Sequence, residues 1–561
     1  MSWIEATTLG DLVDRTAEWR GEHGALVFPD ARVTYRELAD LIDRYARSFR
    51  ALGVGPGDKV GILMPNCLEF CLSLFGAAKL GAIPVPVNGR FKAHELGYVF
   101  SHADIRTIVT SAGSDAGVDY PSMIAGMFEG AGDQDPRALS LADAPELRQV
   151  VDLGGDAHAG FVTRARFEAA AEEIDPAEVR TLQQRVRIRD IGLLMYTSGT
   201  TSRPKGCMLT HESIVRHGIN VQRTCFLATQ DDRFWDPLPL FHIGGIVPMV
   251  GTLGIGATYY HAGHFDPTQA LDTLEHEKIT LAYPAFETIW LQVLDHPRFT
   301  DADLSSIRLI QNIAIPERLQ QMYDRLPTAV QVSSFGATEC SSNLTLPHPE
   351  EPQDVLINTL GGAVPGMEIR IVDPETNEVR PAGVVGELVL RGYARFEGYY
   401  KDPEQTAQAI DEGGWFHTGD LGSVDENGKL RYAGRLKDML KVGGENVSAL
   451  EVEDYLARHP SVQIVQVVGA PDARYEEVPA AFIQLRTGAD PTEEEIIDFC
   501  VGQIATYKVP RYVRFVEEWP MSGTKIQKFA LRQQLADELA ERGITEAPRI
   551  DSRKGAATSA A

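Results

Sequence analysis

The sequence predicts an α/β protein in which a parallel, doubly wound sheet carries the first part of the chain and antiparallel strands follow. Three observations predict it. At 561 residues the chain is too long for one core and should divide into roughly two to four domains or subdomains. Between Lys59 and Val87 strand-like and helix-like runs alternate, as in parallel sheets with crossover helices. From Gly361 to Arg391 short alternating runs lie between Pro and Gly turns, which predicts antiparallel strands of a small barrel.

The elements can be justified in order. Tyr35, Leu38, Leu41, Ile42, Tyr45, Ala46, Phe49 and Leu52 share one helical face, and Gly53 to Asp58 ends that helix. Lys59 to Met64 reads as a buried strand, Leu68 to Leu80 as an apolar helix and Ala82 to Val87 as another strand. From 114 to 187 the chain is rich in Gly, Asp, Ala and Glu and reads as a solvated connection, with one helix around Arg164 to Glu173. Ile191 to Tyr196 suits a buried strand, and Thr210 can cap a helix starting near His211, so the intervening loop should link a strand to a helix. Asp236 to His242 reads as an apolar strand that ends in a histidine. Leu450 to Leu456 reads as an amphipathic helix, with Leu450, Val452, Tyr455 and Leu456 packed and Glu451, Glu453 and Asp454 solvated. After Ala530 a polar helix is expected, and residues 546–561 have the composition of a disordered tail.

A formal charge of −26 argues against nonspecific nucleic-acid binding and against an anionic membrane surface, so an anion must be met by a local positive site. No run of about eighteen apolar residues offers a membrane span, and the start lacks a basic, apolar leader, which predicts a cytoplasmic protein. The six cysteines are scattered and read as buried free thiols. Cys207 stands beside a loop where a thiolate is conceivable, but Met208 and Leu209 favour a packed side chain.

That loop is the run Tyr196-Thr-Ser-Gly-Thr-Thr-Ser-Arg-Pro-Lys-Gly206, which concentrates hydroxyls, glycines and one lysine where no core needs them. Free amides, hydroxyls and a positive helix end would suit a polyphosphate. It is not the common Gly-Lys-Ser/Thr loop, because Lys205 lies between Pro204 and Gly206. A chance match of eight or so such positions is on the order of 10⁻⁹ per start position, which disfavours an ordinary surface loop. Ser334-Phe-Gly-Ala-Thr-Glu339 is the second strong signal. Gly336 allows close approach, Thr338 offers a hydroxyl, and Glu339 is a hard oxygen ligand suited to magnesium bridged to phosphates; a helix-capping Thr-Glu pair is the bland alternative. In Trp415-Phe-His-Thr-Gly-Asp420 the carboxylate could accept from two ribose hydroxyls or be a turn residue.

The phosphate loop resembles that of the adenylate-forming superfamily of acyl-CoA synthetases, nonribosomal adenylation domains and luciferases, and further motifs extend the resemblance over nearly the whole chain. It implies a large domain of residues 1–434, made of two doubly wound α/β subdomains and a small β-barrel, and a small mobile α+β domain of residues 435–545. By the same resemblance, Thr197, Ser198, Gly199, Thr200, Thr201 and Lys205 hold the ATP phosphates, Glu339 holds Mg²⁺, Phe335 stacks on adenine beside Gly336 and Thr338, and Asp420 and Arg435 hold ribose. His242, Gly244 and Ala314 line the acyl pocket, and a histidine at 242 suggests an acid without an α-amino group. Gly434-Arg-Leu-Lys-Asp438 resembles the hinge, with Lys437 as its pivot, and Gly443 and Gly444 match a segment lining the pantetheine tunnel. In Pro520-Met-Ser-Gly-Thr-Lys525, Lys525 matches the catalytic lysine; a cation there would screen two reacting anions. Ser202, Asn312 with Ile313, Phe335 and Thr524 depart from the family pattern, and Asn312 and Ile313 should reshape the acyl cavity.

The resemblance implies two steps: acyl-AMP formation from a carboxylic acid and ATP with release of pyrophosphate, then transfer of the acyl group to coenzyme A. Thr200, Glu339, His242 and Lys525 are the expected catalytic residues. A fatty, branched or arylalkyl acid is expected. An acyl-AMP ligase that loads a carrier protein, and a noncatalytic nucleotide-binding relative, are the alternatives. Oligomeric state is not legible in the chain, and a homodimer is one option.

Overall fold

The structure, a computed structural model, describes residues 7–112, 118–128, 130–142, 144–154, 158–197, 204–442, 445–522 and 525–550; of Lys437 and Lys525 it describes the backbone alone. Two sheets with mainly parallel strands form the frame of the large domain. One runs Ile83–Pro86, Lys59–Leu63, Ile105–Thr110, Gln149–Asp152, Val162–Thr163, all parallel. The other runs Val330–Val332, Leu309–Ile313, Leu281–Phe286, Arg233–Trp235, Thr258–Tyr260, Gly24–Phe28, Ala31–Thr34, with the last pair antiparallel. The predicted first helix is Tyr35–Ala51, and its start is fixed by a capping box in which Thr34 and Glu37 satisfy each other's backbone donors. Its apolar face joins that of Leu68–Lys79 in a core that also holds Phe49, Phe70, Phe75 and Phe167.

The stretch read as a solvated connection is a correction. Gln149–Asp152 and Val162–Thr163 complete the first sheet, and Tyr120–Met127 and Pro176–Gln183 are helices. Polar residues hid this because they are buried in pairs: Gln149 donates to Thr107 Oγ1 at 2.5 Å, and Asp152 Oδ2 lies 2.9 Å from His158 Nδ1. The expected barrel consists of three antiparallel sheets of three, three and four strands, whose described pairings do not close into a ring.

The strand Leu430–Arg435 belongs to the last of these sheets, and a short turn, Leu436–Asp438, leads into Met439–Val442 of the small domain. Arg435 is therefore structurally part of the large domain, one turn before the small domain's own sheet begins. That sheet comprises Glu445–Ser448, Met439–Val442, Glu476–Leu485 and Val462–Asp472, with Tyr512–Phe515 parallel to Glu476–Leu485, and it has separate apolar clusters on its two faces. The tail expected from 546 is held further than composition suggested, since the Ala547 amide donates to Asp472 Oδ2 at 2.6 Å and Ile550 packs on the small-domain core; residues 551–561 lie outside the described set. All six cysteines are free thiols. No helix among the described residues is long and apolar enough to cross a membrane.

Three buried histidines tie segments of the large domain together. His211 accepts from the Leu9 amide, His217 Nε2 donates to the Asn343 carbonyl at 2.6 Å, and His261 bridges the Leu238 carbonyl and the Gly263 amide. Burial lowers each to about 4. The folded state thus binds these protons less tightly than the unfolded chain, where histidine titrates near ~6.5. Stability held above that value is lost as pH falls from about 6.5 to about 4. Denaturant titrations across this window should show the midpoint falling, and His261→Gln should reduce the slope by about one proton's share, roughly 1.4 kcal/mol per pH unit.

Candidate active site

The phosphate loop joins two strands rather than a strand and a helix. Ile191–Thr197 and Lys205–Thr210 pair antiparallel, Thr197 opposite Lys205 and Ile191 opposite Thr210. The helix His211–Asn220, capped by Thr210 as predicted, therefore starts at the far end of the hairpin, roughly 17 Å from the loop at about 3.4 Å per residue. Its positive end cannot serve the loop. The local cation is Lys205, whose ammonium lies 5.0 Å from the Tyr399 ring centre. Ser198, Gly199, Thr200, Thr201 and Ser202 lie outside the described residues. Cys207 is buried with its thiol pushed well above its ordinary range, first by burial and then by Glu339, so it is packed and not a thiolate.

A crossing segment, Ala394 to Tyr400, brings the second signal to this hairpin. Its Tyr400 and Glu397 amides donate to the Gly206 and Met208 carbonyls, while its Phe396 amide donates to the Glu339 carbonyl at 2.8 Å. Ser341 Oγ donates to the Ala394 carbonyl at 2.9 Å. Phe335–Ala337 is a short strand holding Gly336, and Thr338–Cys340 a single 3-10 turn. The chain then turns back through Ser341 at φ 58° and Ser342 at φ 92°, left-handed conformations that cost a serine about 1–3 kcal/mol and cluster at functional sites. Tyr399 donates its hydroxyl to Glu339 Oε1 at 3.1 Å. One residue thus touches both the candidate metal ligand and, through its ring, the candidate phosphate lysine. Among the described residues no group of three or more His, Cys, Asp or Glu could hold a metal. A single hard carboxylate fits Mg²⁺ that takes its other ligands from phosphates and water.

Asp420 and Arg435 are brought together as expected. They face each other across the strands Phe416–Val424 and Leu430–Arg435, and Arg435 Nε donates to Asp420 Oδ1 at 3.0 Å. Tyr432 donates to the same oxygen at 3.0 Å, and its ring lies 6.1 Å from that of Phe335. Burial drives the Tyr432 hydroxyl well above its ordinary range, and Asp420 adds to this, so it stays a donor. The Cys340 thiol is held at about 12, mainly by burial, with Glu339 and Asp420 both contributing. It is inert.

On the acyl side the expected strand from Asp236 to His242 is a correction: the strand here is Arg233–Trp235, the chain then runs through turns, and His242 stands seven residues after Trp235 as the N-cap of the helix Ile243–Ile255. Between them Asp236 accepts from the Leu238 amide at 2.8 Å, and burial holds its carboxyl well above the usual range. Gly245 is glycine because of the protein itself: a Cβ there would lie 2.6 Å from the Pro239 carbonyl oxygen. At Gly244 a Cβ would meet only the end of the flexible Leu238 side chain, at 2.9 Å, which can move aside. Ala314 follows the strand Leu309–Ile313 and is half-buried. Asn312 is fully buried and donates to Gln331 at 3.2 Å, while Ile313 is 40% exposed. The Asn312 side chain is thus committed to the neighbouring strand. Behind the site Gln311 donates to Ser334 Oγ, and Ser334 and Tyr283 donate to Asn343 Oδ1, a buried network that braces the segment leading to Glu339. One turn beyond Gly244 a cavity of about 10 Å³ lies between Gln222, Pro248 and Asn343. Beyond it the helices cross backbone to backbone, a Cβ on Gly251 falling 2.3 Å from the Gly218 carbonyl oxygen.

Lys525 sits in a two-residue strand paired with Met521–Ser522. The Lys437 and Lys525 side chains, with Gly443, Gly444 and Thr524, are outside the described set. Tyr399, Tyr432 and Asn343 are residues of the candidate site that sequence reasoning missed, and Ser334, which opens the second motif, was given no role there; the paired tyrosines after Gly398 were a local signal.

A family model described as AMP-binding enzyme matches residues 13–400, and one described as AMP-binding enzyme C-terminal domain matches residues 451–525. A Bacillus subtilis (strain 168) protein assigned as an acyl-CoA synthetase, YngI, is 35% identical over 95% of this chain and 98% of its own. The mitochondrial medium-chain acyl-CoA ligase ACSF2 of Rattus norvegicus is 32% identical over 95% of this chain and 88% of its own. The ATP-bound structure of MatB from Rhodopseudomonas palustris superposes with a TM-score of 0.82 at 26% identity, covering 95% of this chain and 100% of that one. The apo structure of MatB, at the same identity and coverage, gives 0.72.

Proposed function

Because the chain belongs to the AMP-binding enzyme family, we propose that it is an ATP-dependent acyl-CoA ligase acting on a medium-chain fatty, branched or arylalkyl acid. The observation that carries this reading is the crossing segment Ala394 to Tyr400, which joins Lys205 and Glu339 through Tyr399 and packs its Phe396 on Phe416 of the strand where Asp420 meets Arg435. In the first step the substrate carboxylate attacks the α-phosphorus of ATP and pyrophosphate leaves. Thr197, Ser198, Gly199, Thr200, Thr201 and Lys205 hold the departing phosphates, Asp420 and Arg435 hold ribose, Phe335 packs on adenine, and Lys525 screens the reacting anions. Magnesium, held by Glu339, would neutralise phosphate charge. In the second step the small domain turns about Lys437 and presents Gly443 and Gly444 to coenzyme A, whose thiol attacks the acyl carbon as AMP departs.

The medium-chain assignment is supported by the ACSF2 relative. The better superposition on ATP-bound than on apo MatB supports the view that the domains stand here as in the first step. Free thiols fit a reducing compartment, which supports a cytoplasmic location; a homodimer is the assembly to test by light scattering.

Pyrophosphate and AMP release from Mg·ATP across a panel of acids of graded length, with and without coenzyme A, tests the reading. Acid-dependent pyrophosphate release, with AMP and thioester formed only when coenzyme A is present, is the expected result. Turnover confined to an acyl-carrier protein would replace the acceptor, and silence across the panel would overturn the ligase.

A further inference from the structure

The two domains meet along a charged seam that the reaction described so far does not use. The large domain contributes Glu287 from the helix Glu287–Leu294 and Glu317 and Arg318 from the helix Pro316–Arg325. The small domain contributes Glu453 and Asp454 from the helix Ala449–Leu456, Arg458 just beyond it, the Gln463 carbonyl and Lys528. Arg318, its side chain 4% exposed, donates across the seam to the Gln463 carbonyl and lies 3.5 Å from Glu287 Oε2. Arg458 crosses back to Glu317. Ile315, beside them, packs on the small domain's apolar core. Glu453, read from sequence as solvated, is buried and accepts from Lys528 and from the Val467 amide, both at 2.6 Å.

Asp454, also read as solvated, is the unsatisfied member. Its Oδ1 is buried without a hydrogen-bond partner. Glu317, Glu453 and Glu451 surround it with negative charge, Arg458 opposes them, and Glu451 is itself paired with Lys508. Removing Asp454 from the seam would return it to water, so its environment depends on how the domains stand.

We propose that Arg318 and the Glu317–Arg458 pair are positioning residues that hold the small domain in the orientation for acyl-AMP formation, and that Asp454 strengthens this hold as pH falls. The proposal rests on the ligase reading, so its test includes a measurement made without turnover. Burial first, then Glu317 and Glu453, push the Asp454 carboxyl up to about 7, and burial raises Glu287 and Glu453 in the same direction, Arg318 and Lys528 respectively opposing it. An exposed aspartate titrates near ~3.9. The docked orientation therefore binds the proton more tightly, and its advantage is lost as pH rises from about 4 to about 7.

The experiment uses the full chain with Glu317→Arg, Arg458→Glu, the Glu317→Arg/Arg458→Glu exchange, Asp454→Asn, and Arg318→Gln combined with Glu287→Gln so that no buried charge is stranded. Spin labels at Val379 and Phe529, both well exposed, report the interdomain distance by electron–electron resonance with ATP present. Pyrophosphate release without coenzyme A, and single-turnover thioester formation from synthetic acyl-AMP, report the two steps separately. Each single reversal and the Arg318 variant should broaden the distance distribution and slow pyrophosphate release roughly threefold to tenfold, as for breaking or reversing an ion pair, while thioester formation holds or quickens. The exchange should restore both readouts. Asp454→Asn should flatten the pH response of the distance. Equal losses in both steps, no change in either, or failure of the exchange to restore would overturn the latch. Distances that respond as expected in a protein that activates no acid would sustain the latch and overturn the ligase reading.

Discussion

Glu339→Gln is expected to slow pyrophosphate release by roughly 10²- to 10³-fold while leaving the fold intact, because on the proposed reading it removes the metal-binding charge without removing volume. The glutamine retains an acceptor for the Tyr399 hydroxyl, which meets Glu339 Oε1 at 3.1 Å, and leaves the Phe396 amide on the residue's carbonyl. The loss should therefore fall on kcat, with the thermal midpoint almost unmoved. Raising Mg²⁺ should recover part of the rate. A variant as active as the parent would remove Glu339 from the metal role, and a large drop in thermal midpoint would make it a structural carboxylate.

Asp420→Ala is expected to lower kcat/KM for ATP by roughly 10²-fold or more, mostly through KM, since two hydrogen bonds to a charged group are each worth about 1.5–3 kcal/mol. It should also cost stability. Asp420 is buried and accepts from both Arg435 and Tyr432, so truncation removes the acceptor of the Tyr432 hydroxyl, while Arg435, its side chain 44% exposed, turns to water. Asp420→Asn keeps the shape and one acceptor and should lose roughly tenfold. Isothermal binding of AMP by the two variants, alongside thermal melts, separates the ribose contribution from the structural one.

The residues proposed to bear charge toward a ligand were legible in the sequence because their local chemistry has no other use. Lys205, Glu339 and Asp420 stand among glycines and hydroxyls, and the fold sets the first two on one crossing segment and packs that segment against the strand of the third. What was illegible depends on partners far along the chain. Tyr399 and Tyr432 are ordinary strand tyrosines until the fold sets their hydroxyls on Glu339 and Asp420. Glu453 looked solvated because a charge on an amphipathic helix usually is, and its partner Lys528 lies on another helix. The helix capped by Thr210 was read correctly, yet its distance from the loop was not, because Lys205–Thr210 is short enough to be taken for the end of the turn. Gln149–Asp152 escaped notice because polar residues paired inside a sheet erase the apolar alternation that reveals a strand.

The placement of Arg435 one turn ahead of the small domain has a consequence for the fate of the intermediate. Asp420, Tyr432 and Arg435 all sit on strands of the large domain, and the chain leaves that domain only through Leu436–Asp438. On the proposed reading the sugar grip therefore stays put while the small domain turns. A mixed anhydride that water would quickly destroy would then remain tethered by its nucleotide half throughout the changeover, which puts commitment to product on the side of the turn Leu436–Asp438 that carries the clamp.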